Sequence, residues 1–381
     1  MLPLLTPDRR GIALPLAIFS MVIAGAMITA VFFVARLEQR HGNNSIASVQ
    51  AFEAAETGAA AILANWNTSY NSSAIGSVTA LPSVSVGGNA SYSATVRRVS
   101  AAAFVIQSEG LVRDGSGAIV TRRELARLVR INQPAIDVHS AVTTRVGLSV
   151  SGSSQISGTD TIPPAWAGGS CPPPGPTAPG IRDSSGNVTT SGACSGASCI
   201  TGNPPIQTDP NVSSGTFTQF GDLSFTDLAA MASKVVGGTI TGIGPTTNAG
   251  PPVSCRTGDL LNWGDPLNAT GPCYDYFPII YSPGDLQLSG GWGQGILLVG
   301  GDLNVSGGVE FYGPVIVQGR VRSTGTGGHI IGGLMANNAD FTVTLLTGNS
   351  VVSYSSCAVD RALRGSSRVK AMNERSWAQR Y

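Results

Sequence analysis

Charged side chains are scarce in this sequence of 381 residues. Lys and Arg number 23 and Asp and Glu number 22, so the formal net charge is +1 and charged residues make up only 12%. A near-neutral chain has no bulk charge with which to hold a polyanion, so we expect no nucleic-acid partner. Aromatic residues make up 6%, whereas Gly numbers 49 and Pro 23. This composition disfavours a compact helical enzyme and favours turns and β structure.

The long uncharged run near the N-terminus is the first feature that predicts a particular structure. From Ile12 to Ala35 the chain has 24 residues without a charged side chain, interrupted only by Ser20 and Thr29. A helix of that length spans about 36 Å, against about 30 Å for the hydrocarbon core of a membrane. We therefore predict a transmembrane helix over residues 12–35. The run is too long for the apolar part of an ordinary secretory signal, although a plain signal anchor remains an alternative.

Two basic residues and a glycine precede this run. Arg9 and Arg10 are followed by Gly11, and the apolar run begins at Ile12. The arrangement resembles the N-terminus of type IV pilin-like proteins, which prepilin peptidase cuts directly after the glycine. The resemblance implies a leader at residues 1–11, a processing site at Gly11 and Ile12, prepilin peptidase as a processing partner, and the inner membrane as the first location of the chain.

A second, amphipathic helix is predicted after Gly42-Asn43-Asn44, with Ser45 as its cap. Its apolar residues recur at steps of three and four, so we expect them to share one face and to dock on the rest of a folded unit. These residues are Ile46, Val49, Phe52, Ala55, Ala59, Ile62 and Trp66.

Part of this helix resembles the signature AFQAAEAG of the PilX-type minor pilins. Residues 50–58 read QAFEAAETG, and Leu16 stands where the major pilins have a glutamate, at the fifth mature position. The missing glutamate argues against a bulk filament subunit and is compatible with a minor pilin. The signature residues are Phe52, Glu53, Ala54, Ala55, Glu56 and Gly58.

The resemblance implies a function as well as a location. It implies a minor pilin-like component of a type IV pilus that acts in assembly, with other pilins and minor pilins as partners. The C-terminal part would be extracytoplasmic and presented on the pilus, towards a surface ligand that the sequence does not identify. A pseudopilin of a type II secretion system and a membrane-anchored β-helical adhesin remain alternatives.

β-rich runs follow the second predicted helix. Their alternating apolar residues predict strands, and Asp114–Gly117 predicts a turn between the second and the third. Residues 124–130 also fit a helix, but the preceding turn favours a hairpin. Helix and strands together make residues 36–134 a small α+β, pilin-like region. The three predicted strands are Ser91–Val99, Phe104–Val112 and Ala118–Ile131.

A near-repeat marks the C-terminal half. Gly284–Gly291 recurs at Gly301–Gly308, an offset of 17, and a degenerate third copy begins at Gly319. Alternating apolar residues with glycines at the corners predict a parallel β-solenoid (β-helix) over residues 282–355, with a first rung at 135–160. An antiparallel sandwich remains an alternative.

If the offset is one turn, apolar positions face inward and the polar positions between them face outward. Asp285 and Asp302 occupy equivalent places, so we expect corner residues there. Some solenoids cleave polysaccharides with paired carboxylates, which keeps an enzyme open. Since the common catalytic motifs are absent, we expect no enzyme, no catalytic residue and no cofactor. The predicted inward residues are Leu286, Leu288, Leu303 and Val305, and the outward ones are Gln287 and Asn304.

Residues 161–281 read as a long, largely irregular insertion, rich in Pro and Gly, with one candidate helix at 223–236. After it and the repeats, residues 356–381 hold 6 basic and 2 acidic side chains and read as a basic C-terminal tail. Loops of such length usually carry binding functions, so the insertion is where we expect a ligand to bind.

The cysteines lie beyond the membrane helix, mostly in this insertion. A loop-rich zone gains most from disulfides, which indicates an extracytoplasmic location, although free thiols in a reducing compartment remain an alternative. Six cysteines allow 15 pairings, of which we favour the local pairs Cys194–Cys199 and Cys255–Cys273. No Cys-x-x-Cys occurs and the histidines lie far from the cysteines, so we predict no metal site. The six are Cys171, Cys194, Cys199, Cys255, Cys273 and Cys357.

Overall fold

The structure, a computed structural model, describes residues 13–132, 134–168, 171–323, 328–337, 344–346, 349–372 and 377–380. The chain divides into two compact units. Unit 1 comprises residues 1–130 and 369–381, and unit 2 comprises residues 131–368.

A single helix, α1 (Ala13–Ala64), begins unit 1. Its 52 residues make it about 78 Å long. The predicted break at Gly42-Asn43-Asn44, with Ser45 as a cap, is wrong, because the helix continues through these residues. Nothing lies within 4 Å of the place where a Cβ on Gly42 would sit, so no tertiary contact forces a break. The unfavourable propensity of one Gly and two Asn, about 2 kcal/mol in all, is too small to interrupt so long a helix.

Four antiparallel strands follow α1 and a short 3-10 helix (Thr68–Ser72). They pair in chain order as β1 (Val78–Gly87), β2 (Ala90–Arg98), β3 (Ala103–Arg113) and β4 (Ile119–Asn132). The three predicted strands are present, and residues 124–130 are strand rather than helix. Strand β1 was not predicted, because Pro82 interrupts its pattern. The register of β1 shifts between Leu81 and Val84, where an edge strand tolerates a proline.

The described residues of unit 2 form many short strands and three α-helices. The helices are α2 (Ser214–Thr218), α3 (Phe225–Ala230) and α4 (Ser356–Gly365), and two 3-10 helices lie at Pro164–Trp166 and Gly192–Ala197. The strands are β5 (Val142–Thr144), β6 (Leu148–Val150), β7 (Gln155–Ser157), β8 (Ile181–Asp183), β9 (Val188–Thr190), β10 (Ile200–Thr201), β11 (Ile206–Thr208), β12 (Gln219–Phe220), β13 (Leu223–Ser224), β14 (Lys234–Val235), β15 (Gly238–Ile243), β16 (Thr247–Asn248), β17 (Ser254–Cys255), β18 (Ile279–Ser282), β19 (Leu286–Gln294), β20 (Ile296–Val299), β21 (Leu303–Ser306), β22 (Val309–Val317), β23 (Val321–Ser323), β24 (Gly328–Ala336), β25 (Thr344–Leu346) and β26 (Val351–Tyr354).

The repeated strands pair in parallel and in register. Leu286 of β19 pairs with Leu303 of β21, which pairs with Val321 of β23. The offsets of 17 and 18 residues are therefore the register between neighbouring strands, and the antiparallel alternative is wrong here. Leu286, Leu288, Leu303 and Val305 are at most 3% exposed, whereas Gln287 and Asn304 between them are exposed. The predicted inward and outward positions are confirmed.

The two repeated aspartates directly precede the parallel strands β19 and β21. Asp285 Oδ1 accepts a hydrogen bond from the backbone N–H of Asp302 at 2.8 Å. Asp302 Oδ1 accepts one from the backbone N–H of Arg320, also at 2.8 Å, and its Oδ2 pairs with Arg320 Nη2 at 2.7 Å. Each carboxylate thus accepts a hydrogen bond from the backbone that directly precedes the next parallel strand.

The parallel strands that come first in the chain, β5 to β7, lie in the middle of the stack. Strands β5, β6 and β7 pair in parallel with β24, β25 and β26 on one side and with β8, β9 and β10 on the other. Parts of the segment 161–281 join the stack: β8 to β11 extend it in one direction, and β14 and β15 in the other. The helix predicted at 223–236 is too long. The observed helix is α3, and Lys234 and Val235 beyond it form β14, which pairs with the stack.

Two apolar layers lie against the parallel strands. The inner layer contains the Leu and Val columns of successive turns. The outer layer joins side chains of the insertion, among them Trp166, Phe217 and Leu228, to the opposite faces of the same strands and to α4. Strands β20, β22 and β24 are thus buried on both sides, as their continuous apolar runs require. The strands contribute Ile296, Leu298, Ile316 and Met335 to the outer layer.

The predicted basic C-terminal tail contains a helix and two strands where the structure describes it. It begins with α4, in which Cys357, Ala358 and Ala362 are at most 1% exposed. Strands β27 (Arg368–Ala371) and β28 (Trp377–Arg380) then pair with β4. Helix α4 was not predicted, because only the basic residues of this segment were considered. The short apolar face of α4 packs on the outer layer. All six cysteines are paired, as Cys194–Cys199 and Cys255–Cys273, which the spacing predicted, and as Cys171–Cys357.

Candidate functional site

The first half of α1 presents a bare apolar surface. Among the described residues, α1 is the one helix long and apolar enough to cross a membrane, by length and composition. Leu14, Phe19 and Met21 are between 65% and 76% exposed. A contiguous apolar surface of this kind is rarely left in water, so it requires lipid or another apolar surface as a partner.

The two hydroxyl groups in this half are satisfied within the helix. Ser20 Oγ donates to the carbonyl oxygen of Ala17 at 2.9 Å, and Thr29 Oγ1 donates to that of Gly25 at 2.7 Å. Such internal bonds allow Ser and Thr to enter hydrocarbon without an unpaired donor. The surface therefore offers a partner only apolar contacts. Leu16 is 66% exposed and adds no charge.

The second half of α1 is buried against the sheet through small side chains. A Cβ on Gly58 would lie 2.4 Å from Ser108 Oγ and 2.5 Å from Tyr92 Cδ2. A Cβ on Gly110 of β3 would lie 1.9 Å from the carbonyl oxygen of Ala51. Helix and sheet therefore approach at a distance that excludes larger residues at both glycines. The buried residues of this half are Ala47, Ala51, Ala54, Ala55, Gly58, Ala59 and Ile62.

The predicted docking face of this half is therefore partly wrong. Ile46 and Val49 are 60% and 54% exposed, because the close approach favours small residues over large ones. Ala55, Ala59 and Ile62 do face the sheet. The alanines at steps of four from residue 47 to 59, together with Gly58, were the sequence signal of the true face.

The structure separates the signature residues into two sets. Ala54, Ala55 and Gly58 contact the sheet side, whereas Glu53 and Glu56 are exposed and Phe52 is half-buried. The side chains of Glu53 and Glu56 are thus exposed to solvent. The leader basic residues Arg9 and Arg10, and the processing residues Gly11 and Ile12, lie outside the described residues.

Polar and aromatic contacts fix the buried half of the helix. Arg123 of β4 donates to Ser48 Oγ from Nε at 2.9 Å and from Nη2 at 2.7 Å. Beyond the end of α1, the ring of Trp66 meets those of Tyr70 and Phe104 edge to face, with centroids 5.2 Å apart in both pairs. These contacts hold the second half of α1 and the segment after it on the sheet.

Comparisons with known proteins add little to these observations. No family model and no curated protein matches the sequence. Among solved structures, the chain is similar to the crystal structure of the competence-associated pilin ComZ from Thermus thermophilus. The identity is 12% and the TM-score 0.26, over 88% of this chain and 98% of that chain. A TM-score this low supports no inference from that protein to this one.

Proposed function

We propose that the chain is a minor-pilin-like subunit of the PilX type that acts in the assembly of a type IV pilus. In this proposal, prepilin peptidase cuts after Gly11 and Ile12 becomes the mature N-terminus. The exposed half of α1 first anchors the precursor in the inner membrane and then packs against the helices of other pilins. The role is structural and requires neither a catalytic residue nor a cofactor.

The division of α1 into two halves is the observation that carries this proposal. The helix of a soluble core would bury its large apolar residues, whereas α1 exposes them and buries alanine and glycine instead. One half is thus held by unit 1, while the other is free to exchange lipid for neighbouring helices. The leader motif and the signature supply the resemblance that turns a membrane anchor into a pilin-like subunit.

We also propose that the strands of unit 2 close into a β-solenoid presented outside the cell. The in-register parallel pairing and the inward Leu and Val columns support a coil of this kind. Its three disulfides support the location, because such bonds persist in oxidising compartments.

Mass spectrometry of the mature N-terminus tests the processing step. We expect the purified chain to begin at Ile12, and Gly11→Asp to retain residues 1–11. Gly25→Ala is the matched control: this second glycine lies in the exposed half of α1, where a Cβ would meet nothing within 4 Å. It should be processed like the wild type. An intact leader on the wild-type chain would contradict the proposal and favour a membrane-anchored protein.

The location of the processed chain tests the assembly step. Filaments sheared from the cell surface should contain the chain, detected by antibody or mass spectrometry, and Gly11→Asp should remove it from them. A correctly processed chain that never leaves the cell envelope would contradict pilus membership and indicate a secretion-system pseudopilin.

A further inference from the structure

Unit 2 contains a polar cavity of about 550 Å³. It lies beside β8, β11 and β26, between the loop 175–179 and the first residue of α4. Its volume falls within the usual range of small-molecule sites, which is about 300 to 1,000 Å³. The side chains that matter for its chemistry are Asp160, Arg182, Gln207, Asp209 and Tyr354.

The position of the cavity follows from one outward-facing row of side chains. In parallel register, this row changes from apolar to polar along the stack. Leu298, Ile316 and Met335 lie under the outer apolar layer, whereas Arg182 and Gln207 line the cavity. The cavity thus lies where the apolar cover of the stack ends. The row consists of Tyr281, Leu298, Ile316, Met335, Thr143, Arg182 and Gln207.

The charged groups of the cavity are already paired with one another or with the backbone. Arg182 donates to Asp209 Oδ2 from Nε at 2.8 Å and from Nη2 at 2.7 Å. Asp160 accepts hydrogen bonds from the backbone N–H of Ser356 at 2.8 Å, from Ser356 Oγ at 2.6 Å and from the N–H of Gly175 at 2.6 Å. The bonds from the backbone of Asn211 and from Arg182 hold the pKa of Asp209 below its ordinary value.

This pairing selects against anionic ligands. The cavity holds two carboxylates and one guanidinium, and His139 at its rim lies 2.5 Å from Asp137 Oδ2. No excess of positive charge remains to bind a phosphate or a uronate. The fixed groups still offer free donor and acceptor directions, as does the amide of Gln207. A ligand that presents neutral donors and acceptors side by side fits this set.

Tyr354 adds a flat, amphipathic surface. The residue is half-buried, and burial followed by the nearby carboxylates raises the pKa of its phenol, which therefore keeps its proton and remains a donor. Pro176 and Pro179 supply further apolar lining. Aromatic rings with a polar tip serve ligands that have one apolar face and hydroxyl groups around it.

A disulfide holds two walls of the cavity together. Cys171 precedes the loop 175–179, and its partner Cys357 follows Ser356 at the start of α4. The loop and the helix therefore cannot separate, and a preorganised site loses less conformational entropy on binding.

We propose that this cavity binds one or two rings of a neutral saccharide. The C–H face of a pyranose ring would lie against Tyr354, and its hydroxyl groups would donate to the carboxylates of Asp160 and Asp209 and accept from Arg182 and Gln207. The inference does not depend on the pilin-like role, since a pseudopilin or an adhesin could carry the same site.

Titration of the full chain with defined sugars tests the proposal. The chain is kept in an amine-oxide detergent, because alkyl glycoside detergents would themselves occupy such a site. The probes are N-acetylglucosamine, methyl β-galactoside and lactose, with galacturonate as the anionic comparator, and calorimetry or ligand-observed NMR measures binding. We expect at least one neutral probe to saturate the chain with a Kd of about 1 mM or lower, and galacturonate to bind more weakly.

Matched variants locate the binding. Tyr354→Ala and Gln207→Ala should each weaken it at least about tenfold, which is 1.4 kcal/mol. Gln287→Ala, at an exposed outward position of β19 away from the cavity, should leave it unchanged. Gln207 lies at the end of the stack, so its variant keeps the test valid even if Tyr354→Ala does not fold. The proposal is overturned if no neutral probe saturates at about 50 mM, if the Gln207 and Gln287 variants bind alike, or if galacturonate binds most tightly.

Discussion

The two units bury their backbones by opposite means. In unit 1, one helix approaches one antiparallel sheet very closely. The contact between them, the seam, therefore depends on residues with the smallest side chains, glycine and alanine. In unit 2, the parallel strands β20, β22 and β24 are covered on both sides by large apolar side chains, and three disulfides close loops, one of them onto α4. Removing atoms should therefore damage unit 2, whereas adding atoms should damage unit 1. Each expectation can be tested in the full chain, since hydrogen exchange followed by mass spectrometry reports on peptides of each unit separately.

The largest expected effect comes from the cross-link between Cys171 and Cys357. This pair closes a loop of 186 residues, against 5 for Cys194 and Cys199. In the chain-entropy account, loss of the first pair costs about 5 kcal/mol and loss of the second about 2 kcal/mol. We expect the double variant Cys171→Ala, Cys357→Ala to lower the free energy of unfolding of unit 2 by the larger amount.

Unit 1 is the internal control for this experiment. It contains no cysteine, so exchange in peptides of β2 and β3 should not change. The comparison variant is Cys194→Ala, Cys199→Ala. If both double variants lower the free energy of unfolding equally, loop length does not govern the stability of unit 2. Faster exchange in unit 1 would show that the two units are not independent in this respect.

A buried charge in the inner column of unit 2 should cost somewhat less. Leu303 is 1% exposed and lies in register between Leu286 and Val321. Leu303→Asp places an unpaired carboxylate among apolar neighbours and should cost at least about 3 kcal/mol. Asn304→Asp, one residue further and exposed, should cost less than about 0.5 kcal/mol. Thermal melts of both variants check this, and a larger loss for the Asn304 variant would contradict the inward column.

Sequence reasoning succeeded where the signal was local. The alternation of apolar and polar residues around Leu286 and Leu303 predicted which side chains are buried. The prediction was secure because the two copies of the repeat have apolar residues at equivalent positions. The hairpin turn at Asp114–Gly117 selected strand over helix for β4. The pairs Cys194–Cys199 and Cys255–Cys273 followed from short loops, whereas Cys171–Cys357 did not, because 186 residues of sequence separate its partners.

Long-range order was not readable from the same patterns. Strands of three residues, such as β5 and β8, are too short to show a periodic pattern of apolar residues. Nothing in the sequence therefore indicated that β5 to β7 lie in the middle of the stack. Hydrophobicity also misassigned the docking face of α1, since it favoured Ile46 and Val49 over alanines. The continuity of α1 through Gly42 was missed for a similar reason: local propensity indicates a possible end of a helix, but it does not require one.

The smallest of the three effects tests unit 1, by the addition of one methyl group. A Cβ on Gly110 would lie 1.9 Å from the carbonyl oxygen of Ala51 and 2.7 Å from the backbone nitrogen of Ala55, and neither backbone atom can rotate away. Gly110→Ala should therefore push α1 from the sheet and cost about 2 kcal/mol. Gly115→Ala, in the turn after the same strand, meets nothing within 4 Å and should cost less than about 0.5 kcal/mol. Faster exchange confined to α1, β2 and β3 would place the damage at the seam. Equal stability of the two variants would mean that the helix and the sheet are not in close contact, and the contrast between the two units would fail.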